Sequence, residues 1–272
     1  MNYKLDVELS PKLEPYRAAI EATVQPYIRI KLTENDSPEL WQSKFGGLPY
    51  LPKGFEYPKS NDGEYLHLLA QINFAEVPSI DSLPEKGILQ FYLANDEGYG
   101  FDFEYPWDFK QLTKQDKFRV VYFAEVDKQN LATDYSFLPS VDNDNFPLDG
   151  CCALEFNLDY EPISADDYQF DILPPYEGEA EQLYDEYSDR FGEGHKLLGY
   201  PNFTQDDPRT HCLPAQEPYI LLLQIDSDTD SDNKLSNIDL MWGDCGIGNF
   251  LIQQSALEKL DFSTVVYNWD CG

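Results

Sequence analysis

The chain has 272 residues, 42% hydrophobic and 15% aromatic, which is enough apolar matter for a sizeable core and argues against global disorder. Fifty acids against 19 bases give a net charge of −31, a field that repels phosphate backbones and anionic bilayers and so disfavours nucleic acid and membranes as partners. The charge is uneven. Residues 1–130 hold 21 acids and 14 bases, net −7, whereas residues 131–272 hold 29 acids and 5 bases, net −24, a balance that would attract a basic protein partner.

In chain order, the start "MNYKLDVELSPKLEPYR" has no apolar signal core, and no later stretch is long enough to span a bilayer. "SPKLEPYRAAIEAT" predicts a helix with Ser10 as its cap and Pro11 at the first helical position. Residues 1–42 are expected to form this helix and a strand. "YLHLLAQI", "ILQFYLA" and "FRVVYFAEV" are apolar and rich in β-branched and aromatic residues, the pattern of strands, and the first is near-continuous like a strand covered on both faces. Residues 128–194 read as a connector with one strand, "CCALEFNL", and a helix within 177–191. Its stretch 161–190 carries ten acids and one base, Arg190, and is expected to be mostly exposed. "YILLLQI" and "MWGDCGIGNFLI" then predict further strands, and "QSALEKL" a short helix.

Five segment pairs occur in the same order along the chain. "SKFGGLPYL" (43–51) lies over "HKLLGYPNF" (195–203), "EYLHLLAQIN" (64–73) over "EPYILLLQID" (217–226), and "ILQFY" (88–92) over "IDLMW" (238–242). "DEGYG" (96–100) and "DCGIG" (244–248) share D-x-G-x-G, and "VVY" occurs twice. Self-similarity of this kind predicts two copies of one unit, 43–127 and 195–272, in one compact domain. The expected fold class is α+β: β-rich, internally duplicated, two similar halves around a shared or paired antiparallel sheet, with few helices.

Candidate chemistry is sparse. No G-x-S-x-G elbow, P-loop or H-E-x-x-H occurs, so no catalytic residue and no cofactor is assigned. The five cysteines form no C-x-x-C pair, and reduced thiols in a cytoplasmic protein are the simplest reading. His67 lies on a strand and reads as a packed imidazole. Asp96 and Asp244 precede the glycines of the two D-x-G-x-G turns. Turn chemistry accounts for them, and the functional alternative is a pair lining a cleft between the copies, with Trp107 and Trp242 as aromatic walls. "QIDSDTDSDN" alternates Asp226, Asp228, Asp230 and Asp232, a partial match to a calcium loop. Its flanks are strands rather than helices, so a solvated turn is preferred over a metal site.

"SKFGGLPYLP", "LLAQINF" and "LLLQIDSD…MWGDCG…NFLI" together resemble the YwqG-like bacterial family, from about residue 40 to the end. The family carries a domain-of-unknown-function label. The resemblance implies a cytosolic α+β protein with an internal duplication and no established activity, and relatives near secreted toxins hint at an immunity role. The leading expectation is therefore a non-enzymatic protein whose acidic second half docks a basic partner. A ligand-binding or enzymatic cleft and a calcium-responsive loop are the alternatives.

Overall fold

The computed structural model describes residues 5, 7–106, 108–212, 217–228 and 238–272. Ten strands form one continuous sheet in the order β12-β11-β9-β8-β1-β7-β2-β3-β4-β5. In chain order these are β1 (Gln25–Leu32), β2 (Lys44–Gly46), β3 (His67–Asn73), β4 (Ile88–Leu93), β5 (Phe118–Phe123), β7 (Cys151–Glu161), β8 (Lys196–Leu198), β9 (Tyr219–Asp226), β11 (Ile247–Gln253) and β12 (Val266–Asp270). Every paired neighbour is antiparallel. The centre is the ladder of β1 on β7, eight residue pairs from Gln25↔Glu161 to Leu32↔Leu154. Two further short strands, β6 (Leu148–Asp149) and β10 (Asp239–Leu240), pair with each other in a separate sheet.

Chain connectivity sends β3, β4 and β5 to one end of the sheet and β9, β11 and β12 to the other. The sheet curls until these arms pack on each other. Phe91 of β4 meets Phe250 of β11 at 4.7 Å between ring centres, and Phe118 of β5 meets Tyr267 of β12 at 5.5 Å. One apolar core follows, containing Leu69, Ile72 and Leu89 from one arm and Leu221, Leu223 and Leu251 from the other. A satellite cluster joins Leu13, Ile20 and Val24 of the N-terminal segment to Leu173, Tyr187 and Phe191 of the connector.

The α+β expectation is corrected: the protein is mostly β. Helices are short, namely α1 (Arg17–Ala22), α2 (Phe109–Leu112), α3 (Glu181–Ser188) and α4 (Gln254–Leu257). At four to eight residues they bury little apolar surface of their own, and the sheet supplies the core. Pro15 lies in a 3-10 turn over Glu14–Tyr16, so the first predicted helix begins only at Arg17.

The expectation of two similar halves is corrected as well. "ILQFY" and "IDLMW" were aligned by hydrophobic character, yet 88–93 is an inner strand of the large sheet while 239–240 belongs to the two-stranded sheet. β11, not 238–242, lies beside β9 as β4 lies beside β3. The D-x-G-x-G turns are displaced accordingly, one following β4 and the other preceding β11. A strand's place is set by its partners, which segment similarity does not encode.

What does recur is local. Lys44 pairs with Gln71 in register, and Lys196 pairs with Gln224. Each glutamine is fully buried and ties a loop across its strand. The Gln71 amide donates to the carbonyls of Leu40 (2.8 Å) and Gln42 (2.7 Å) and accepts from the Tyr50 amide (2.7 Å). The Gln224 amide donates to Gly192 and Gly194 (2.9 Å each) and accepts from the Asn202 amide (2.8 Å). Inner strands covered on both faces leave their polar groups no water, so each must find a protein partner.

The two buried lysines are satisfied differently. Lys44 Nζ donates to the carbonyls of Glu39 (2.8 Å) and Leu48 (3.1 Å), and burial lowers its pKa to about 8. Lys196 Nζ meets both carboxylate oxygens of Glu161, at 2.8 and 3.0 Å, in an ion pair with almost no solvent contact. Burial pushes Lys196 down while Glu161 opposes the shift. Glu161→Gln, which strands the lysine charge, is expected to cost about 3–5 kcal/mol in urea unfolding. Lys196→Met combined with Glu161→Gln should recover most of that loss, because the stranded charge is then gone.

His195 lies between Phe45 of β2 and the end of β9. Its ring stands edge-on to Phe45 at 5.2 Å, and Nδ1 accepts the Asp226 amide at 3.1 Å, so the neutral ring is required. Burial lowers its pKa to about 4 from the usual 6.5. Between these values the unfolded chain binds a proton that the folded chain refuses, so this residue's contribution is full above pH 6.5 and lost as pH falls toward 4. Asp166, raised to about 6 by burial with Asp270 and Asp207 adding to it, has the opposite slope in nearly the same window. Unfolding free energies of wild type and His195→Asn, compared from pH 4 to 7, isolate the histidine: the wild-type advantage should shrink toward pH 4.

Candidate functional site

Asp96 closes its own turn. Its Oδ1 accepts from the amides of Gly98 (3.1 Å) and Gly100 (2.9 Å), and Oδ2 meets Lys117 Nζ at 3.0 Å. Asp244 is exposed in a tight turn that the Gly246 amide closes on the Trp242 carbonyl at 2.8 Å; Gly243 and Cys245 there have positive φ. Both turns reach the Trp269 indole. Its Nε1 donates to the Gly98 carbonyl at 2.8 Å, and a Cβ on Gly243 would lie 3.2 Å from the ring. The space between is filled rather than open. Trp242 is fully buried, in ring contact with Tyr99, Tyr267 and Trp269, and a Cβ on Gly248 would lie 2.3 Å from it. Trp242 is thus a core side chain, and Trp107 lies outside the described residues.

The alternating aspartates are only partly described. Asp226 Oδ2 accepts the Gly194 amide at 2.8 Å, pinning the 192–195 loop to the end of β9, and burial raises its carboxyl. The Asp228 amide donates to the Leu240 carbonyl at 2.9 Å. Asp230 and Asp232 lie outside the described residues. Among the described residues no group of three or more His, Cys, Asp or Glu could hold a metal ion, and no helix is long and apolar enough to cross a membrane.

The acids of the connector are sorted by the fold. Three turn inward. Glu161 is paired with Lys196, and Asp167 shares the Arg209 guanidinium with Asp207, at 2.7 and 2.6 Å. Tyr168 lies over that guanidinium at 4.8 Å, and Arg209 Nη1 donates to the Tyr219 carbonyl at 3.2 Å. The third, Asp166, has its carboxyl raised to about 6 by burial, with Asp270 and Asp207 adding to it. "DDPR" held the signal for this cluster: Asp207 before Pro208 caps the following turn and fixes Arg209 beside it.

Five others, Asp171, Glu177, Glu181, Asp185 and Asp189, face solvent without an ion pair among the described residues. α3 carries three of them on or beside its outer side. Its inner side is fixed by Tyr187, which is fully buried and donates its hydroxyl to the Ile163 carbonyl at 2.7 Å. Tyr176, 58% exposed, stands edge-on to Tyr184 at the edge of this acidic face.

Two cavities lie against the strand ends. One of about 520 Å³ opens beside Gly46 and Gly47 and is bordered by His67. The other, about 440 Å³, lies beside Leu198 and Gly199 and reaches the 79–82 loop. Gly199 is obligatory, since a Cβ there would lie 2.4 Å from Glu161 Oε1. Neither cavity is lined by Asp96, Trp242 or Asp244.

Comparison with curated proteins gives no match. Residues 43–271 match the family described as Domain of unknown function (DUF1963), a span from the strand that carries Lys44 to the end of β12 and beyond. The chain therefore belongs to the DUF1963 family.

Proposed function

We propose that this chain is a YwqG-like, cytoplasmic binding protein that docks a basic protein partner, such as a toxin domain, on the acidic face around α3. The observation that carries this reading is the sorting of the connector's acids. Two of those that the fold takes inward, Glu161 and Asp167, are neutralised by Lys196 and Arg209, while Asp171, Glu177, Glu181, Asp185 and Asp189 are left outward. Arg190 is the one base in 161–190, and its guanidinium reaches the Glu8 carbonyl at 3.0 Å. A like-signed band of this kind draws in a cationic surface and orients it before contact. Tyr176 supplies the aromatic anchor that charge alone lacks. All five cysteines are free, which fits a reducing compartment.

Charge number and charge placement are separable by experiment. Hen lysozyme serves as the basic probe in calorimetry at about 50 mM salt, where screening is weak. Neutralising Glu177, Glu181, Asp185 and Asp189 to their amides is expected to weaken binding about tenfold. Neutralising four exposed acids of the other half, Glu56, Asp62, Glu64 and Glu85, removes the same charge and should change binding little. Equal loss in both variants would reduce the acidic face to bulk charge and contradict the reading.

A further inference from the structure

β2 ends at Gly46, which with Gly47 has positive φ as the chain turns out of the strand. Gly46 admits no side chain, because a Cβ there would lie 2.3 Å from the Gly150 carbonyl oxygen. The backbone path so fixed leaves the cavity of about 520 Å³ described above, within the range of about 300–1,000 Å³ usual for small-molecule sites. Its walls are apolar: Leu48, Leu68, Leu138, Val141, Phe146 and Leu148.

Ser140 and Asp149 border the space from exposed positions, and the Tyr135 hydroxyl there donates to the Pro49 carbonyl at 2.8 Å; the two remaining polar side chains, both buried, are His67 from β3 and Tyr57 from the loop before it. Each residue is only 7% exposed. Neither the imidazole nor the phenol hydroxyl has a hydrogen-bond partner among the described residues, and neither is a sealed orphan of the core. Their polar atoms therefore open onto the cavity. Both rings are held in place by their neighbours. His67 stands edge-on to Phe146 at 6.0 Å, and Tyr57 is packed by Tyr65, Tyr92 and Phe137 at 5.8, 5.7 and 5.4 Å. Two buried polar groups fixed by packing, without protein partners, beside a largely apolar wall are what a ligand head group would satisfy.

The chemistry of the ligand follows from what these groups offer. Burial lowers the His67 pKa, so the ring is neutral at pH 7 with one nitrogen donating and one accepting. Burial also keeps the Tyr57 hydroxyl protonated, able to donate and to accept. Among the described residues no Lys or Arg borders the cavity, and the one charged residue that does is the exposed Asp149. An anion would meet that carboxylate and a chain of net charge −31 with no cation to offset them.

We propose that the cavity beside Gly46 and Gly47 is a binding site for an uncharged, mainly apolar, ring-sized molecule whose head group both donates and accepts hydrogen bonds, as a primary carboxamide does, with His67 and Tyr57 as its two polar contacts.

Benzamide is the probe, with benzoate as its anionic counterpart of equal size and benzene as the ring without a head group. Titration of the full chain, followed by the NMR signals of the His67 ring, should give a saturable shift with benzamide at millimolar concentration. Benzoate and benzene should bind at least about tenfold more weakly, the loss that one or two missing hydrogen bonds produce. Tyr57→Phe removes only the hydroxyl, which has no protein partner, so the melting temperature should hold or rise while benzamide binding weakens about three- to tenfold. His67→Leu, followed by saturation transfer to the probe, should weaken it similarly. No saturable His67 shift with benzamide, equal binding of benzoate, or full benzamide affinity in Tyr57→Phe would each overturn the assignment.

Discussion

The constraint on which this structure rests is the coverage of its inner strands on both faces. β3 and β4 are buried along their whole lengths, and β9 and β11 almost so. One face of each arm meets the apolar core, but the other lies under loops, where polar groups cannot turn to water. Gln71, Gln90, Gln224 and Asn249 answer this by bonding the loops themselves. Gln90 donates to the Tyr50 carbonyl at 2.6 Å and to Gln71 Oε1 at 2.7 Å, and Asn249 donates to the Asn202 carbonyl at 2.8 Å. An unmade buried bond costs about 1–3 kcal/mol, so these amides determine where the 40–50 and 192–202 loops lie. The loop positions in turn set the buried lysines, the glycine turns and the cavities beside them.

The same constraint governs charge. A chain this acidic must place some carboxylates inside, and several of them meet cations: Glu161 on Lys196, Asp167 and Asp207 on Arg209, while Asp226 and Asp270 are held by backbone amides. With 19 bases against 50 acids in the whole chain, most of the acids go without a cation. The acidic face of α3 is thus the residue of a folding requirement as well as a proposed docking surface. The cavity at His67 has a different origin, since two glycines with positive φ turn the backbone out of β2 beside a largely apolar space that His67 and Tyr57 border.

Much of this was legible in the chain. The runs "YLHLLAQI" and "YILLLQI" carry the signature of doubly covered strands, and β3 and β9 overlap them in all but their last residues. Asp96 behaves as its turn motif dictates. Other features depend on contacts that local pattern does not carry. Segment 238–242 has the alternation of a sheet strand, yet its pairing with Leu148 and Asp149 is set by a stretch about ninety residues away. Arg209 reads as a stray base in an acidic region until Asp167 folds onto it. Tyr57 lies in a loop without periodicity, so its approach to His67 appears only once the loop is placed. Trp242 reads equally well as a wall or as core, and only the turn geometry around Gly243 and Gly248 separates the two.

Hydrogen exchange measures the amide stitching most directly. Among the described side chains the Tyr50 amide is held by Gln71 Oε1, and the Asn202 amide by Gln224 Oε1. In a Gln71→Leu variant, protection of the Tyr50 amide should fall by about a hundredfold or more, while amides of β9 and β11 such as Leu222 and Phe250 keep theirs. Unchanged protection at Tyr50, or a loss spread evenly through both arms, would contradict the claim that buried amides hold the loops onto the sheet.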